Sequence, residues 1–269
     1  MTLDELKTKR VGLALGVGGA RGASHLGVMR SLRKHGINVS CVAGASSGSV
    51  FGAVFAADVV DSAAEFISRL TWWQTLQMFW EFRLPRGAGI ITGKRLMKKV
   101  RQMVPCRDFS ELKIPLAVVA ADLFTGAEVV ITEGDLMEAI HASCAVPGLY
   151  CPVPYKGRWL VDGGLVNSLP VSVCRKMGAE IVIGVDVNLG RNFQRAKPPP
   201  KYPTFSNVFF HTCRIIENEW TKGVFRTDPP DILIQPPVGH IYSMQIRHIK
   251  FAIRAGEIAT DNLLRDFSI

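Results

Sequence analysis

The chain has 269 residues, of which 48% are hydrophobic and 20% are charged. This balance, with 25 glycines and 15 prolines scattered along the chain, excludes a disordered, collagen-like or coiled-coil protein and suits one large domain or two small ones. No apolar run reaches the roughly 18 residues of a membrane span, and the polar N-terminus predicts no signal peptide.

The six cysteines form no C-x-x-C pair and no cluster with histidine. Disulfide frameworks and zinc sites both depend on such spacing. We therefore expect reduced thiols, a cytoplasmic location, no bound metal ion and no other cofactor.

The first half of the chain alternates short apolar segments with helical ones. Residues 11–15 are predicted to form a buried strand that ends in a glycine-rich turn over residues 16–22. A helix follows to about His35, where Gly36 ends it. A second strand at residues 39–43 leads through another glycine turn into a second helix. This order predicts a parallel sheet covered by helices.

The remainder of the chain continues this mixture of elements. Residues 61–104 are predicted to be mostly helical, and residues 190–206, which include three consecutive prolines, are predicted to form a loop. Further strands are predicted at residues 116–121, 128–132, 158–161, 181–187 and 231–235. Further helices are predicted at residues 135–143, 207–220 and 244–267.

A G-x-S-x-G segment, Gly44-Ala45-Ser46-Ser47-Gly48, lies between the second strand and its helix. This context is typical of a nucleophile elbow, in which flanking glycines allow a sharp turn that leaves the serine oxygen exposed. The helix N-terminus behind the serine adds unpaired N–H groups and the positive end of the helix dipole. The segment predicts Ser46 as a nucleophile.

The earlier glycine-rich segment, Gly16 to Gly22, allows backbone N–H groups to approach an oxygen closely. A dinucleotide fingerprint is not met, because Arg21 occupies the position of the third glycine. A phosphate loop is not met either, because no Gly-Lys-Ser/Thr follows. An oxyanion-binding loop and a simple tight turn both remain open.

A serine nucleophile needs a base, and Asp162 ends a predicted strand just before Gly163 and Gly164, which allow a close backbone approach. A Ser-Asp-His triad in hydrolase order would need a late histidine. None of the late histidines lies in a predicted strand-end loop, and His25 precedes the serine. A carboxylate acting directly on the serine is therefore favoured. The late histidines are His211, His240 and His248.

These three motifs, in this order, resemble those of bacterial patatin-like phospholipases, a family of lipid acyl hydrolases with a Ser-Asp dyad. Residues 18–22 match the oxyanion loop, residues 44–48 the nucleophile motif and residues 162–164 the acid motif. The family's first loop glycine falls on Val17. The resemblance is strong over residues 11–190 and looser beyond.

The resemblance implies a three-layer α/β/α sandwich with a mostly parallel central sheet. It implies a catalytic domain at residues 11–190, with residues 191–269 packing on the same globular unit. It further implies that Ser46 is the nucleophile and Asp162 the general base. Arg21 either orients the loop, contacts an acidic head group or lies on the surface. The implied oxyanion hole uses N–H groups of Gly18, Gly19, Ala20 and Ser47, and the motifs also include Gly22, Gly44, Gly48, Gly163 and Gly164.

The implied substrate is a phospholipid or another lipid ester, cleaved through an acyl-enzyme. Three alternatives remain: a Ser-His-Asp esterase for soluble esters, an acyltransferase that uses the same acyl-enzyme, and a lipid-binding or regulatory protein with little activity. A homo-oligomer is also open.

The net charge of +9 is concentrated in one segment. Residues 83–113 carry nine basic and two acidic side chains, a local net charge of +7. An aromatic stripe at helical spacing precedes them, and such a stripe packs either on the core or on a membrane. We expect residues 72–101 to contact the inner face of an anionic membrane, and we expect no nucleic acid partner. The stripe consists of Trp72, Trp73, Leu76, Phe79 and Trp80.

Overall fold

The computed structural model describes residues 2–71, 73–74, 89–188, 202–241 and 245–267. Strands and helices alternate along much of this chain. The strands are β1 (Val11–Leu15), β2 (Val39–Ala45), β3 (Leu116–Asp122), β4 (Glu128–Ile131), β5 (Val153–Tyr155), β6 (Arg158–Asp162), β7 (Ile181–Val185) and β8 (Ile232–Ile234). The helices are α1 (Leu3–Thr8), α2 (Ser24–Lys34), α3 (Ser47–Ala56), α4 (Val60–Ser68), α5 (Lys94–Met103), α6 (Leu136–Ser143), α7 (Val171–Lys176), α8 (Phe205–Thr227) and α9 (Ile249–Asp266).

The strands of the described residues form one mixed sheet in the order β5-β6-β3-β2-β1-β7-β8, with β4 also paired to β3. Strands β3, β2, β1, β7 and β8 are parallel to one another. Strands β4 and β6 run antiparallel to β3, and β5 runs antiparallel to β6. Every residue of β1 and β3 is buried, as parallel strands covered on both faces are. The predicted, mostly parallel sheet is confirmed.

Helices cover both faces of this sheet, and successive residues of β1 show the two layers. Leu13 and Leu15 pack in a core cluster with α2, α3, α4 and α9. Ala14 packs in a second cluster with α7 and with Val224 and Phe225 of α8. Because successive strand side chains point to opposite faces, the sheet is the middle layer of a three-layer α/β/α sandwich.

The predicted helix at residues 207–220 is too short, since α8 runs on to Thr227. Thr221 is buried and its hydroxyl lies 2.7 Å from that of Ser168. This tertiary contact stabilises the helix beyond residue 220, although Gly223 by itself disfavours a helix.

Two other helical predictions differ from the structure or fall partly outside it. The helix predicted from residue 244 begins as a short 3₁₀ turn and becomes α-helical at Ile249. Residues 75–88 of the predicted helical region, and residues 190–201 of the predicted loop, lie outside the described residues. Among the helices that are described, none combines the length and the apolarity needed to cross a bilayer.

Helices α2 and α9 cross at two glycines. A Cβ on Gly27 would lie 1.8 Å from the Ile253 carbonyl oxygen, and a Cβ on Gly256 would lie 2.1 Å from the Ser24 carbonyl oxygen. Neither position has room for a side chain, so the two backbones approach closely. The crossing fixes α9 against the helix that begins directly after the glycine-rich loop.

Replacing Gly27 by Ala should lower the free energy of unfolding by about 1–3 kcal/mol, because the added methyl group overpacks the crossing. The matched control is Gly223→Ala in α8, where a Cβ meets no atom within 4 Å. That control should raise the free energy of unfolding by roughly 0.5–1 kcal/mol, because alanine is the better helix former. Urea unfolding followed by circular dichroism measures both, and equal effects of the two variants would contradict the close crossing.

Candidate active site

Ser46 occupies the turn between β2 and α3. Its backbone has φ 52° and ψ −122°, which is a strained combination for a residue with a side chain. A Cβ on Gly44 would lie 2.3 Å from the Gly48 carbonyl oxygen, and a Cβ on Gly48 would lie 2.1 Å from the Leu15 carbonyl oxygen. The segment therefore has the geometry of a nucleophile elbow, with the N-terminus of α3 behind the serine.

Ser46 and Asp162 meet because two strands end at the same edge of β3. Ala45, the last residue of β2, pairs with Val119 of β3. Asp162, the last residue of β6, pairs with the next β3 residue, Ala120. Strand β4 occupies the opposite edge of β3 in this region, so β2 and β6 share one edge and approach each other end to end. The residue that follows Ala45 is therefore placed beside Asp162.

The two side chains are in direct contact. The Ser46 hydroxyl donates a hydrogen bond of 2.7 Å to Asp162 Oδ2, and Asp162 Oδ1 accepts one of 2.8 Å from the Gly164 N–H. Burial raises the pKa of the Asp162 carboxyl to about 6, against the opposing effect of these two hydrogen bonds. Gly163 allows the close approach, since a Cβ there would lie 2.1 Å from the Val119 carbonyl oxygen.

A further buried side chain, that of Ser143 at the end of α6, holds the elbow against β3. Its hydroxyl donates a hydrogen bond of 2.6 Å to the Val119 carbonyl oxygen and accepts one of 2.8 Å from the Ser46 N–H. Because β2 ends at Ala45, the Ser46 N–H has no acceptor on a neighbouring strand among the described residues, and the Ser143 hydroxyl accepts its hydrogen bond instead. The sequence analysis did not identify Ser143 as a site residue, and no local spacing marks it, because it lies 97 residues from Ser46.

The glycine-rich loop supplies free backbone donors from residues that share a cavity with Ser46. Gly19 has φ 56° and begins a short 3₁₀ helix. Within the described residues, the N–H groups of Gly18, Gly19 and Ala20 donate to no acceptor, and the N–H of Ser47 at the start of α3 does not either. Gly19, Ala20, Ser46 and Ser47 line one cavity, whereas Gly18 lies outside its lining.

Arg21 is buried, and its guanidinium ties this loop to the C-terminal part of the chain. The side chain donates hydrogen bonds of 3.1 Å to the Ile241 carbonyl oxygen and 2.6 Å to Asn188 Oδ1. Gly22 packs against the next motif, since a Cβ there would lie 2.6 Å from Ser47 Oγ. The alternative of a surface Arg21 is therefore wrong, and its buried position gives no support to contact with a head group.

The histidines lie elsewhere. His25 Nε2 is 2.9 Å from the Gly16 carbonyl oxygen, and burial lowers the pKa of its ring to about 4, so that the neutral ring donates to this carbonyl. The ring centres of His240 and His248 lie 6.4 Å apart in an edge-to-face arrangement, and His211 is exposed. In the described part of the chain, a carboxylate and no imidazole lies within hydrogen-bonding distance of the Ser46 hydroxyl.

An apolar cavity of about 210 Å³ lies against Ser46. Side chains of α3, α4 and α5 line it, together with the segment that follows α6. Cys144 also lines it, and burial raises the pKa of that thiol far above its usual value, which keeps it protonated. The cavity offers an apolar chain a place beside the Ser46 hydroxyl. The apolar lining includes Phe51, Phe66, Leu96, Val100, Met103 and Leu149.

The aromatic stripe is described only in part. Trp73 is 69% exposed and does not pack on the core. The other four members of the stripe, Trp72, Leu76, Phe79 and Trp80, lie outside the described residues. The described residues also contain no group of three His, Cys, Asp or Glu side chains that could hold a metal ion.

The protein is therefore an α/β/α sandwich. Its site pairs a serine that follows the carboxyl end of β2 with a buried carboxylate at the carboxyl end of β6. The family model of patatin-like phospholipases matches residues 13–175. The chain belongs to the patatin-like phospholipase family.

Individual relatives agree with this assignment. An uncharacterised NTE family protein of Mycobacterium bovis is 38% identical over 179 residues, which cover 66% of this chain and 49% of that protein. The lysophospholipase NTE1 of Debaryomyces hansenii is 27% identical over 96% of this chain and 18% of its own length. VipD from Legionella pneumophila has the same fold, with a TM-score of 0.50 at 13% identity over 96% of this chain and 67% of that one. The chain thus spans about half the length of the mycobacterial relative and much less of NTE1.

The raised pKa of Asp162 predicts a specific pH dependence of stability. Because the folded-state pKa of about 6 exceeds the ordinary aspartate pKa of 3.8, the folded protein binds more protons between these pH values, and this carboxyl contributes less stability as the pH rises through that window. The variant Asp162→Asn lacks this titration. We take the free energy of unfolding of the variant minus that of the original protein. This difference should therefore rise by roughly 1–3 kcal/mol from pH 4 to pH 7.5. Urea unfolding of both proteins at the two pH values measures the change, and a constant difference would contradict the buried carboxylate.

Proposed function

We propose that the protein is a serine acyl hydrolase of lipids, a phospholipase, lysophospholipase or related esterase, that acts through an acyl-enzyme on Ser46 with Asp162 as general base. The observation that carries this proposal is the 2.7 Å hydrogen bond between Ser46 Oγ and Asp162 Oδ2 at the wall of an apolar cavity. Membership of the patatin-like phospholipase family and similarity to a protein named as a lysophospholipase support a lipid ester as the substrate.

In the first step the ionised Asp162 accepts the Ser46 proton while the serine oxygen attacks the ester carbonyl. A pKa of about 6 leaves most of the Asp162 carboxyl ionised at neutral pH and makes it a stronger base than an ordinary carboxylate. The proton then passes from Asp162 to the departing alcohol, and the acyl group remains on Ser46.

Backbone donors stabilise the oxyanion that forms in this step. The free N–H groups of Gly19, Ala20 and Ser47 belong to residues that line the cavity, and that of Gly18 comes from the same loop. Developing negative charge is stabilised most by donors that are already fixed in a dry site. Arg21 fixes the loop from behind, and the N-terminus of α3 adds its dipole.

In the second step Asp162 accepts a proton from the water that attacks the acyl-enzyme. It then returns this proton to Ser46 Oγ as the bond to the acyl group breaks and the fatty acid leaves. If an alcohol took the place of this water, the same pair would transfer the acyl group instead. Analysis of the products with and without an added alcohol distinguishes hydrolysis from acyl transfer.

Replacing Ser46 by Ala should abolish labelling by a fluorophosphonate probe and reduce hydrolysis of p-nitrophenyl esters by roughly 10³-fold or more, because the nucleophile is lost. Replacing Asp162 by Asn should have an effect of similar size, because an amide cannot accept the proton. Measurements with short-chain and long-chain esters test both variants and the preference for an apolar chain.

Single Gln replacements of His211, His240 and His248 are the controls that separate a dyad from a triad. Each should retain most of the activity. A histidine variant as inactive as Ser46→Ala would replace the dyad with a triad, and a fully active Ser46→Ala variant would overturn the proposal altogether.

Replacing Ser143 by Ala should slow probe labelling of Ser46 and ester hydrolysis by roughly 10-fold to 100-fold, because it leaves the Ser46 N–H and the Val119 carbonyl unsatisfied in a buried place. The matched control is Ser31→Ala, which removes another buried serine hydroxyl at the remote α2–α9 crossing. Both variants should lose stability in thermal unfolding, and only Ser143→Ala should lose reactivity. Equal reactivity of the two would argue against a positioning role for Ser143.

A further inference from the structure

The two faces of helix α5 differ completely in chemistry. Leu96, Val100 and Met103 point inward and line the cavity beside Ser46. Lys94, Lys98 and Arg101 are exposed on the opposite side, and at 3.6 residues per turn they lie within about 60° of one another. The chemistry proposed above uses the inner face and leaves the cationic outer face without a role.

The outer face is electrostatically unfavourable for the isolated protein. Helix α5 contains no acidic residue and carries Lys94 and Arg95 in its first turn, where the helix dipole disfavours cations. Lys94 and Lys98 are four residues apart, and Lys98 and Arg101 three apart, so like charges are neighbours. Gly93 caps the helix without a side-chain hydrogen bond.

These cations also lack the ion pairs that cations elsewhere in the fold make. Lys34 pairs with Asp261, and Lys113 pairs with Asp58. Within the described residues, no acidic side chain pairs with Lys94, Lys98 or Arg101. The outer face is therefore available to an anionic partner.

Two further observations indicate the kind of partner. Trp73 is 69% exposed and comes three residues after Leu70, which lines the same cavity as α5. Lys99 belongs with the inner face, because it lines the cavity and its Nζ lies 5.7 Å from the centre of the Phe66 ring. An exposed tryptophan just after one part of the cavity lining, and a row of cations on the helix that forms another part, match the surface of an anionic bilayer better than they match a nucleic acid.

We propose that Lys94, Lys98 and Arg101 form a docking face for an anionic lipid bilayer. Docking through this face holds the cavity wall formed by the same helix at the membrane surface, where acyl chains are presented. The binding itself is independent of the proposed function, and only its effect on lipid hydrolysis rests on that function.

The test uses the Ser46→Ala protein, so that no hydrolysis accompanies binding. Sedimentation with vesicles of phosphatidylcholine, with and without one-quarter phosphatidylglycerol, compares a triple variant, Lys94→Gln, Lys98→Gln and Arg101→Gln, with a matched control, Lys176→Gln, Arg226→Gln and Arg265→Gln. The control removes three exposed cations from other helices and changes the net charge equally.

The triple variant should bind the anionic vesicles roughly 100-fold more weakly than its parent, because each cation near such a surface raises the binding constant by about fivefold. The control should stay within about threefold of the parent, since charges far from the surface are screened by salt. Raised salt should weaken the parent as the triple substitution does. Absence of binding by the parent, or equal losses in the triple variant and the control, would overturn the proposal.

A short DNA duplex at the same ionic strength tests the competing partner. If the triple substitution weakens only DNA binding, the face binds nucleic acid and the bilayer proposal is wrong. With Ser46 restored, the triple variant should hydrolyse a soluble short-chain ester normally and a lipid ester in anionic vesicles more slowly. Failure of the protein with Ser46 and all three cations intact to hydrolyse any ester would contradict the proposed function, while the sedimentation result would still decide the docking proposal.

Discussion

The backbone strain at Ser46 is the constraint on which the arrangement of this site depends. A residue with a side chain at φ 52° costs of order 1–3 kcal/mol, and several contacts from outside the turn hold it there. The Ser143 hydroxyl binds its N–H, and the Ser49 hydroxyl donates a hydrogen bond of 2.7 Å to its carbonyl oxygen. Gly44 and Gly48 let the strand and the helix come close enough for this turn to form. The strained turn and its supports place the hydroxyl at the cavity wall.

The buried carboxylate of Asp162 lowers the stability of the fold when it is ionised. A buried carboxylate costs free energy when it ionises, and its two hydrogen bonds recover only part of that cost, because its pKa remains raised. The proposed reaction needs this carboxylate as a base. The protein thus keeps, at neutral pH, an ionised group that a more stable version of the fold would replace.

Strands, helices and motifs that are each formed by residues close together in sequence could be predicted, because glycine spacing and the alternation of apolar segments are local signals. The pairing of Ser46 with Asp162 was favoured by the strand-end position of Asp162 and implied by the resemblance. The geometry of the contact was not predictable, since it depends on the shared edge of β3, which no local pattern encodes. Ser143 acts through one hydroxyl on a distant helix, so its role was not predictable. The burial of Arg21 depends on Asn188 and Ile241, which are distant in sequence, so no local pattern predicted it. By contrast, α1 was missed although the capping box of Thr2 and Glu5 marks its start.

The position of β7 has a consequence for how the chain can be divided. The family match ends at residue 175, yet β7 (Ile181–Val185) pairs with β1 in the interior of the sheet. A fragment cut where the similarity ends would keep the serine and the aspartate but would leave the whole of β1 as an open, apolar edge. Such an edge is a template for pairing with another chain. A fragment of that kind should aggregate, so the segment beyond the match protects the molecule against self-association.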